Sequence, residues 1–309
     1  VQADGAEITL GGNGIISSWG NAGLAGINNG TFINSPGHTI QGSGYINAPM
    51  TNKGRIQALD GKLTINGRMD NTEGLLDVQG VEGDLTLSSK IIGGLIDPGD
   101  QGLVQLLYAT LENTTIEKGQ VWCGAGTFRG DQVLNGTDFL ITRSTLTIEP
   151  DDSGSDPVIT NKGTIQLLPY GAGGSTLFIN GCRATLSGAG QMAMGRYSEL
   201  KTLDTGSLVN DIGHFIHGYG QFHIPVENNG LIQVQNGTLR IFAPLTGFGR
   251  LFISPTGLVD LRAGIETKDF FLAHTAGISM PLGPVPMEIR GNLSFAYTDE
   301  ARWYYLGLN

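Results

Sequence analysis

Short runs of alternating apolar and polar residues recur along the whole chain. Examples are residues 63–65 (LTI), 85–87 (LTL), 146–148 (LTI) and 239–241 (LRI). This alternation is typical of a half-buried β-strand, whose successive side chains point to opposite faces. Asn-x-Gly recurs between the runs and tolerates positive φ at sharp bends. The pattern predicts an all-β protein of short strands joined by tight bends, without a convincing helix.

The chain contains a long internal repeat. Residues 38–65 (HTIQGSGYINAPMTNKGRIQALDGKLTI) recur without gaps as residues 214–241 (HFIHGYGQFHIPVENNGLIQVQNGTLRI), a shift of 214 − 38 = 176. A third, partial copy (TNKGTIQL) covers residues 160–167. Self-similarity of this kind is the signature of a repeat architecture.

A shorter period lies inside each copy. Leu76 follows Ile56 by 76 − 56 = 20 residues, and Ile96 and Ile116 follow at the same step. Such short strands cannot bury their apolar side alone, but coils stacked about 4.8 Å apart can. The period therefore predicts a parallel β-helix of about 20-residue coils, with stacked Asn ladders at the bends. One inward aliphatic column is expected to contain Ile56, Leu76, Ile96, Ile116, Ile165 and Ile232.

The run G-x-G-x-I-x-A-P-x-x-N-x-G-x-I-x-A-x-x-G-x-L-x-I, residues 42–65, resembles the repeats of secreted bacterial β-helix proteins. That group includes autotransporter passengers, large adhesins and, more distantly, pectin-lyase-like polysaccharide enzymes. The resemblance covers about residues 14–261. It implies a right-handed solenoid with an extracellular or cell-surface location. Its motif positions are core and bend residues, so it specifies architecture better than activity.

The repeat divides the chain into three parts. Residues 1–13 read as an N-terminal cap strand, residues 14–265 as the solenoid, and residues 266–309 as a C-terminal segment of different character. That segment has prolines at 281, 284 and 286, followed by two runs, 287–297 and 302–308, that read as a β-hairpin. It would cap its own rod or dock on a neighbouring one, because an open β-helix end exposes unpaired backbone groups. Its candidate assembly residues are Phe295, Tyr297, Trp303, Tyr304 and Tyr305.

Composition excludes some classes of partner. The 309 residues carry a net charge of −10, which opposes binding to nucleic acid and to anionic membrane surfaces. The sequence has no apolar run of about 18 residues, so we expect no membrane insertion. Cys123 and Cys182 lie 182 − 123 = 59 residues apart, close to three coils. In one column they would be about 14 Å apart, too far for a disulfide, so we expect buried free thiols.

The 20-residue step also predicts a row of carboxylates. Asp77, Asp97 and Glu117 follow Gln57 in register, each directly after a residue of the inward column, so they should point outward. Carboxylates on adjacent coils would be about 5 Å apart, and on alternate coils about 10 Å, near the separations used by retaining and inverting glycosidases. The alternative interpretation is a solvated acidic face. The sequence lacks the further Arg and His motifs of such enzymes, which favours the second interpretation.

Other polar clusters favour structural roles. Residues 149–157 (EPDDSGSDP) form a polar insertion, and Asp151, Asp152 and Asp156 could supply oxygen ligands to Ca²⁺. Their spacing is not that of a known calcium loop, so a solvated loop is favoured and no other cofactor is expected. His214 and His217 stand three apart and would face opposite sides of a strand, which favours structural histidines.

Two functions remain open on the sequence alone. The favoured one is a non-catalytic, secreted surface or structural protein that contacts polysaccharide or cell-surface glycan, or self-associates. The alternative is a polysaccharide hydrolase or lyase that uses the acidic row. Trp or Tyr platforms beside those carboxylates would favour the enzyme. The exposed aromatics expected are Trp19, Tyr45, Trp122, Tyr170, Tyr197 and Tyr219, and the ligand-contact candidates are Gln57, Tyr45, Trp122 and Tyr219.

Overall fold

The chain folds as a parallel β-solenoid. The computed structural model describes residues 1–168, 173–280 and 285–295. These residues form about 14 turns of stacked parallel strands, with coils of about 20 residues and no helix. No described segment is therefore a helix long and apolar enough to cross a membrane.

The described strands are short and follow one another closely. The first third of the chain contains β1 Gln2–Asp4, β2 Glu7–Leu10, β3 Ile15–Ser18, β4 Gly23–Ile27, β5 Thr31–Asn34, β6 Thr39–Ile46, β7 Met50–Asn52, β8 Arg55–Ile65, β9 Met69–Asp70, β10 Leu75–Gln79, β11 Asp84–Leu87, β12 Lys90–Ile92 and β13 Leu95–Asp97. The middle contains β14 Leu103–Glu112, β15 Thr115–Ile116, β16 Gly119–Arg129, β17 Gln132–Leu134, β18 Thr137–Thr142, β19 Thr145–Glu149, β20 Val158–Asn161, β21 Thr164–Leu168, β22 Thr176–Ile179, β23 Arg183–Ser187, β24 Gln191–Met194 and β25 Glu199–Lys201. The last third contains β26 Ser207–Asn210, β27 Phe215–Phe222, β28 Val226–Asn228, β29 Leu231–Ile241, β30 Leu245–Thr246, β31 Arg250–Ile253, β32 Gly257–Leu261, β33 Ile265–Thr267, β34 Asp269–Leu272, β35 Gly277–Ser279, β36 Met287–Ile289 and β37 Leu293–Phe295.

Successive pairings trace three faces along the rod. Face 1 contains β3, the first half of β6 and of β8, then β10, β13, β15, β17, β20, β23, β26, β28, β30, β33 and β36. Face 2 contains β4, the second half of β6 and of β8, β11, the first half of β14 and of β16, β18, β21, β24, the first half of β27 and of β29, β31, β34 and β37. Face 3 contains β2, β5, β7, β9, β12, the second half of β14 and of β16, β19, β22, β25, the second half of β27 and of β29, β32 and β35.

The core is a set of apolar columns inside these faces. Ile56, Leu76, Ile96 and Ile116 pair in consecutive coils of face 1 and are fully buried (0% exposed). Alternation puts every second side chain inside, which is why runs such as residues 63–65 stack on one another. The prediction that these four residues stack in one inward column is confirmed.

The other two members of the predicted column lie elsewhere. Ile165 and Ile232 are buried, but both belong to face 2 and stack on Phe139 and Ile216 respectively. The prediction of a single column through all six residues is therefore wrong. The two long repeat copies have the same local shape but are displaced by one face around the rod.

Buried asparagine ladders lie at the same position of the repeat unit in both copies, and in the first copy this position is the bend between faces 3 and 1. Asn34 donates to the Oδ1 of Asn52 (2.7 Å), and Asn52 donates to the Oδ1 of Asn71 (2.6 Å). All three are fully buried (0% exposed). His38 lies 2.7 Å from the Oδ1 of Asn34 through its Nδ1. The ladder satisfies side-chain and backbone groups that the dry interior would otherwise leave unpaired.

The second ladder repeats this arrangement between faces 1 and 2. Asn210 donates to the Oδ1 of Asn228 (2.7 Å), and the Nδ1 of His214 lies 2.7 Å from the Oδ1 of Asn210. Asn161 of a preceding coil lies 3.2 Å from the Nε2 of His214 through its Nδ2. Burial lowers the pKa of His214 to about 4. His214 is therefore a neutral, structural residue, as the sequence predicts.

Both ends of the described chain take part in the stack. β2, within the predicted cap of residues 1–13, pairs in parallel with β5. Beyond residue 265, β36 and β37 pair in parallel with β33 and β34. Residues 287–295 therefore stack on the preceding coil as two short strands. The remainder of the predicted hairpin lies outside the described residues.

Both thiols are free and buried, but they do not share a column. Cys123 lies on face 2, whereas Cys182 follows β22 at the bend between faces 3 and 1. The expectation of buried free thiols is confirmed, and the 59-residue spacing does not give one column because the intervening coils differ in length. Burial raises the pKa of the Cys123 thiol to about 12 and that of Cys182 to about 11.

Candidate functional site

The acidic row lies on the outside of face 1. Gln57, Asp77 and Asp97 are direct partners in consecutive coils, and Glu117 follows Ile116, which pairs with Ile96. The 20-residue step therefore predicts this row correctly. Adjacent members are one strand spacing apart, about 4.8 Å between Cα atoms.

Each of these carboxylates already has a partner within the chain. Asp77 is 5% exposed and accepts two hydrogen bonds from Arg55, at 2.9 Å from Nε and 2.5 Å from a terminal nitrogen. Gln57 adds a third hydrogen bond to Asp77 at 2.9 Å. The hydrogen bonds from Arg55 to Asp77 raise the pKa of the guanidinium. A buried carboxylate with this partner set is held in a fixed position.

The other two carboxylates are fixed more locally. Asp97 accepts a hydrogen bond from the Gly99 N–H at 2.9 Å and so closes its own turn. Glu117 accepts one from the Asn135 Nδ2 in the next coil at 2.7 Å. The row is thus tied together by neighbouring coils and turns, in the way that polar ladders commonly stabilise solenoids.

An open depression of about 400 Å³ adjoins this row. It is formed by the turns after β10 and β13 and is lined by Asp77, Asp97, Asp100, Gln79, Gln101 and glycines. Asp100 is paired with Lys118 at 2.6 Å. The lining, all within residues 77–102, has no aromatic side chain against which a sugar ring could stack.

The four ligand-contact candidates do not form one site. Gln57 is buried on face 1 (4% exposed). Tyr45 and Trp122 share an outward row on face 2, four coils apart. Tyr219 lies at a β-bulge on the edge between faces 2 and 3. The structure therefore separates the candidate carboxylates from the candidate aromatics.

Aromatic rings on faces 2 and 3 stack on each other along the rod. Phe252 and Phe271 stack with 4.7 Å between ring centroids and 8° between planes. His223 and Phe242 stack at 4.3 Å and 8°, and the Arg262 guanidinium covers Phe242 at 5.0 Å. Rings stacked in this way cover each other's faces and present their edges outward. Their signal in the sequence is the 19-residue spacing of the paired rings, 271 − 252 = 19 and 242 − 223 = 19.

The predicted calcium candidates each use their oxygens differently. Asp151 accepts hydrogen bonds from the hydroxyl and N–H of Ser153, which lower its pKa. Asp152 pairs with Arg129 at 3.1 Å, and Asp156 accepts from the Arg183 N–H at 2.8 Å. Across the part of the chain that the structure describes, no three His, Cys, Asp or Glu side chains are grouped to hold a metal ion. Ca²⁺ binding by these residues stays a hypothesis that rests on the sequence.

The candidate assembly residues fall mostly outside the described chain. Phe295, at the end of β37, pairs with Leu272 and is 39% exposed. Tyr297, Trp303, Tyr304 and Tyr305 lie outside the described residues. Self-association through this segment stays a prediction.

Comparison with known proteins adds no family assignment, because no protein-family model, no curated protein and no solved structure matches the chain.

Proposed function

We propose that the protein is a non-catalytic, extracellular β-solenoid scaffold whose surface contacts polysaccharide. The observation that carries the non-catalytic part of this proposal is the paired state of Asp77. A nucleophile or general acid needs an oxygen free to meet the substrate, whereas Asp77 is almost fully buried under Arg55 and Gln57. In this proposal the acidic row is structural: its hydrogen bonds and its ion pair hold neighbouring coils together.

The extracellular part of the proposal rests on the resemblance of residues 42–65 to secreted repeats. The acidic net charge of −10 is consistent with a neutral or weakly charged partner in preference to nucleic acid.

A second candidate function is polysaccharide cleavage. The 400 Å³ depression beside Asp77 and Asp97 favours it, since two carboxylates on adjacent coils border one open space. The missing aromatic platform and the Arg55 contact weigh against it.

The test is a panel of soluble polysaccharides on which binding and released reducing ends are both measured. We expect binding without release of reducing ends. Reproducible cleavage that disappears in Asp97→Asn would overturn the scaffold proposal. Asp97 is the better position for this test, because substitution of Asp77 would also break the ion pair with Arg55.

A further inference from the structure

We infer that a depression on the outside of face 3 binds a short stretch of a neutral polysaccharide chain through Arg68 and Glu7. This inference rests on the proposed function and gives it a location. The face 3 depression has a volume of about 270 Å³, close to the lower end of the size range of ligand pockets. Its lining falls entirely within residues 7–92, all of which the structure describes.

The depression follows from the sizes of the outward side chains. Strand register places Glu7, Thr31, Pro49 and Arg68 in one row on consecutive coils. The two middle residues are short, whereas the residues at both ends are long and charged, so the row is low in the middle and raised at its ends. Three coil steps separate Glu7 from Arg68, about 14 Å between Cα atoms. The depression therefore has a charged group of opposite sign at each end.

The polar groups of the face 3 depression are free to meet a ligand. Among the residues that the structure describes, neither Glu7 nor Arg68 forms an ion pair, and both are exposed. The hydroxyl of Thr51, on the floor between them, makes no hydrogen bond within the same part of the chain. Asp70 uses its Oδ1 on the N–H and hydroxyl of Thr72, at 3.1 and 2.7 Å, and does not pair with Arg68.

Charged residues further along face 3 behave differently. Lys90 contacts Glu112 on the next coil at 2.6 Å, and Arg129 contacts Glu149 on the next coil at 3.1 Å. Cations and carboxylates on adjacent coils thus neutralise each other there. At the face 3 depression, the two intervening coils hold the guanidinium and the carboxylate too far apart to pair. A ligand between them can contact both.

The mixture of groups selects the chemistry of the ligand. A guanidinium offers only hydrogen-bond donors, a carboxylate only acceptors, and a threonine hydroxyl both. The hydroxyls of a sugar donate and accept, so one short sugar chain can satisfy Arg68 and Glu7 together. A polyanion would be repelled by Glu7 and Asp70, and a polycation by Arg68. Pro49 and Ile92 add apolar contact for the C–H groups of the ring. A neutral polysaccharide is therefore the expected ligand.

The experiment measures binding to the full chain by isothermal titration calorimetry, with laminarin, xyloglucan and cello-oligosaccharides of increasing length as probes. Arg68→Ala should weaken binding by about tenfold or more, because it removes hydrogen bonds from a charged donor. Thr51→Tyr should weaken binding as strongly, because the larger side chain fills the depression and leaves the charge of Arg68 in place. Affinity should rise with oligosaccharide length until the ligand reaches from Glu7 to Arg68, and then stay constant.

Arg250→Ala is the matched control. It removes the same charge from a side chain that is 75% exposed on face 2, so the affinity should equal that of the wild-type protein. The melting temperatures of all three variants should stay close to the wild-type value, because substitutions at surface positions usually have little effect on stability.

The outcomes separate the two proposals. If the wild-type protein binds a neutral polysaccharide and both Arg68→Ala and Thr51→Tyr bind it equally well, this inference fails and the scaffold proposal stands. The inference also fails if the wild-type protein binds only polyanions, or if Arg250→Ala weakens binding as much as Arg68→Ala does. If the wild-type protein binds no polysaccharide, or cleaves one, the proposed function fails as well.

Discussion

Ile56 and Ile232 occupy equivalent positions in the two repeat copies, yet Ile56 stacks on face 1 and Ile232 on face 2 of the solenoid. The asparagine ladders are displaced by the same one face. Asn34 and Asn52 lie between faces 3 and 1, whereas Asn210 and Asn228 lie between faces 1 and 2. A repeat unit thus encodes a bend followed by two strands, and the solenoid places it at two different bends of the coil.

The core column makes one prediction about stability. Ile96→Asp would place an unpaired carboxylate at a fully buried position (0% exposed), and we expect a loss of several kcal/mol, about 3 or more. Urea unfolding followed by circular dichroism measures it. Ile15→Asp is the control, since Ile15 is 62% exposed and should tolerate the change within about 0.5 kcal/mol. Both residues lie on face 1, so equal effects at the two positions would contradict the assignment of Ile96 as inward and Ile15 as outward.

The asparagine ladder makes a second prediction. Asn52→Ala removes the hydrogen bonds to Asn34 and Asn71. The buried Asn71 Oδ1 loses its Asn52 donor, and the Asn34 Nδ2 keeps only its longer contacts with the carbonyl oxygens of His38 and Arg55. The expected loss is about 2–4 kcal/mol in the free energy of unfolding. Asn66 is exposed and donates to Asn47, so Asn66→Ala should cost less than about 0.5 kcal/mol. A ladder substitution as mild as the Asn66 control would show that the ladder adds nothing to stability.

A third prediction concerns pH. The pKa of His214 falls from 6.5 to about 4 on burial, so between these values the unfolded state binds a proton that the folded state does not. Stability should therefore decrease as pH falls from 6.5 towards 4, by up to about 3 kcal/mol. Protonation would add a hydrogen to the Nε2 of His214, which would then face the N–H donor of Asn161 Nδ2 at 3.2 Å.

His217 and His223 have pKa values lowered by burial as well, so the effect of His214 must be isolated by difference. His214→Gln should flatten the decrease in stability between pH 6.5 and 4 relative to the wild-type protein, whereas His274→Gln at an exposed position should leave it in place. Parallel curves for His214→Gln and the wild-type protein would show that this histidine does not contribute.

The sequence predicts the coils better than it predicts their arrangement. Alternation, Asn-x-Gly bends and the 20-residue step are local, so the strands, the ladder and the Gln57–Asp77–Asp97 row could be predicted. The faces could not, because all three have the same alternation and coil lengths vary. Leu134 follows Ile116 by 134 − 116 = 18 residues, but its next partner, Asn161, follows by 161 − 134 = 27.

The candidate site was predicted only in part for a related reason. Register predicts which residues share a row, but not which partner each carboxylate finds, so the contact between Arg55 and Asp77 was not foreseen.

The most direct test of the account is disulfide mapping of the face on which Ile165 lies. In a Cys123→Ala, Cys182→Ala background, Leu140→Cys with Gln166→Cys should form a disulfide under mild oxidation, because these outward residues are direct partners on face 2. Asn135→Cys with Gln166→Cys should not, since Asn135 belongs to the row of Glu117 on face 1. Mass spectrometry of non-reduced peptides reads out both pairs. A cross-link between positions 135 and 166, and none between 140 and 166, would restore the single column and contradict the three-face arrangement.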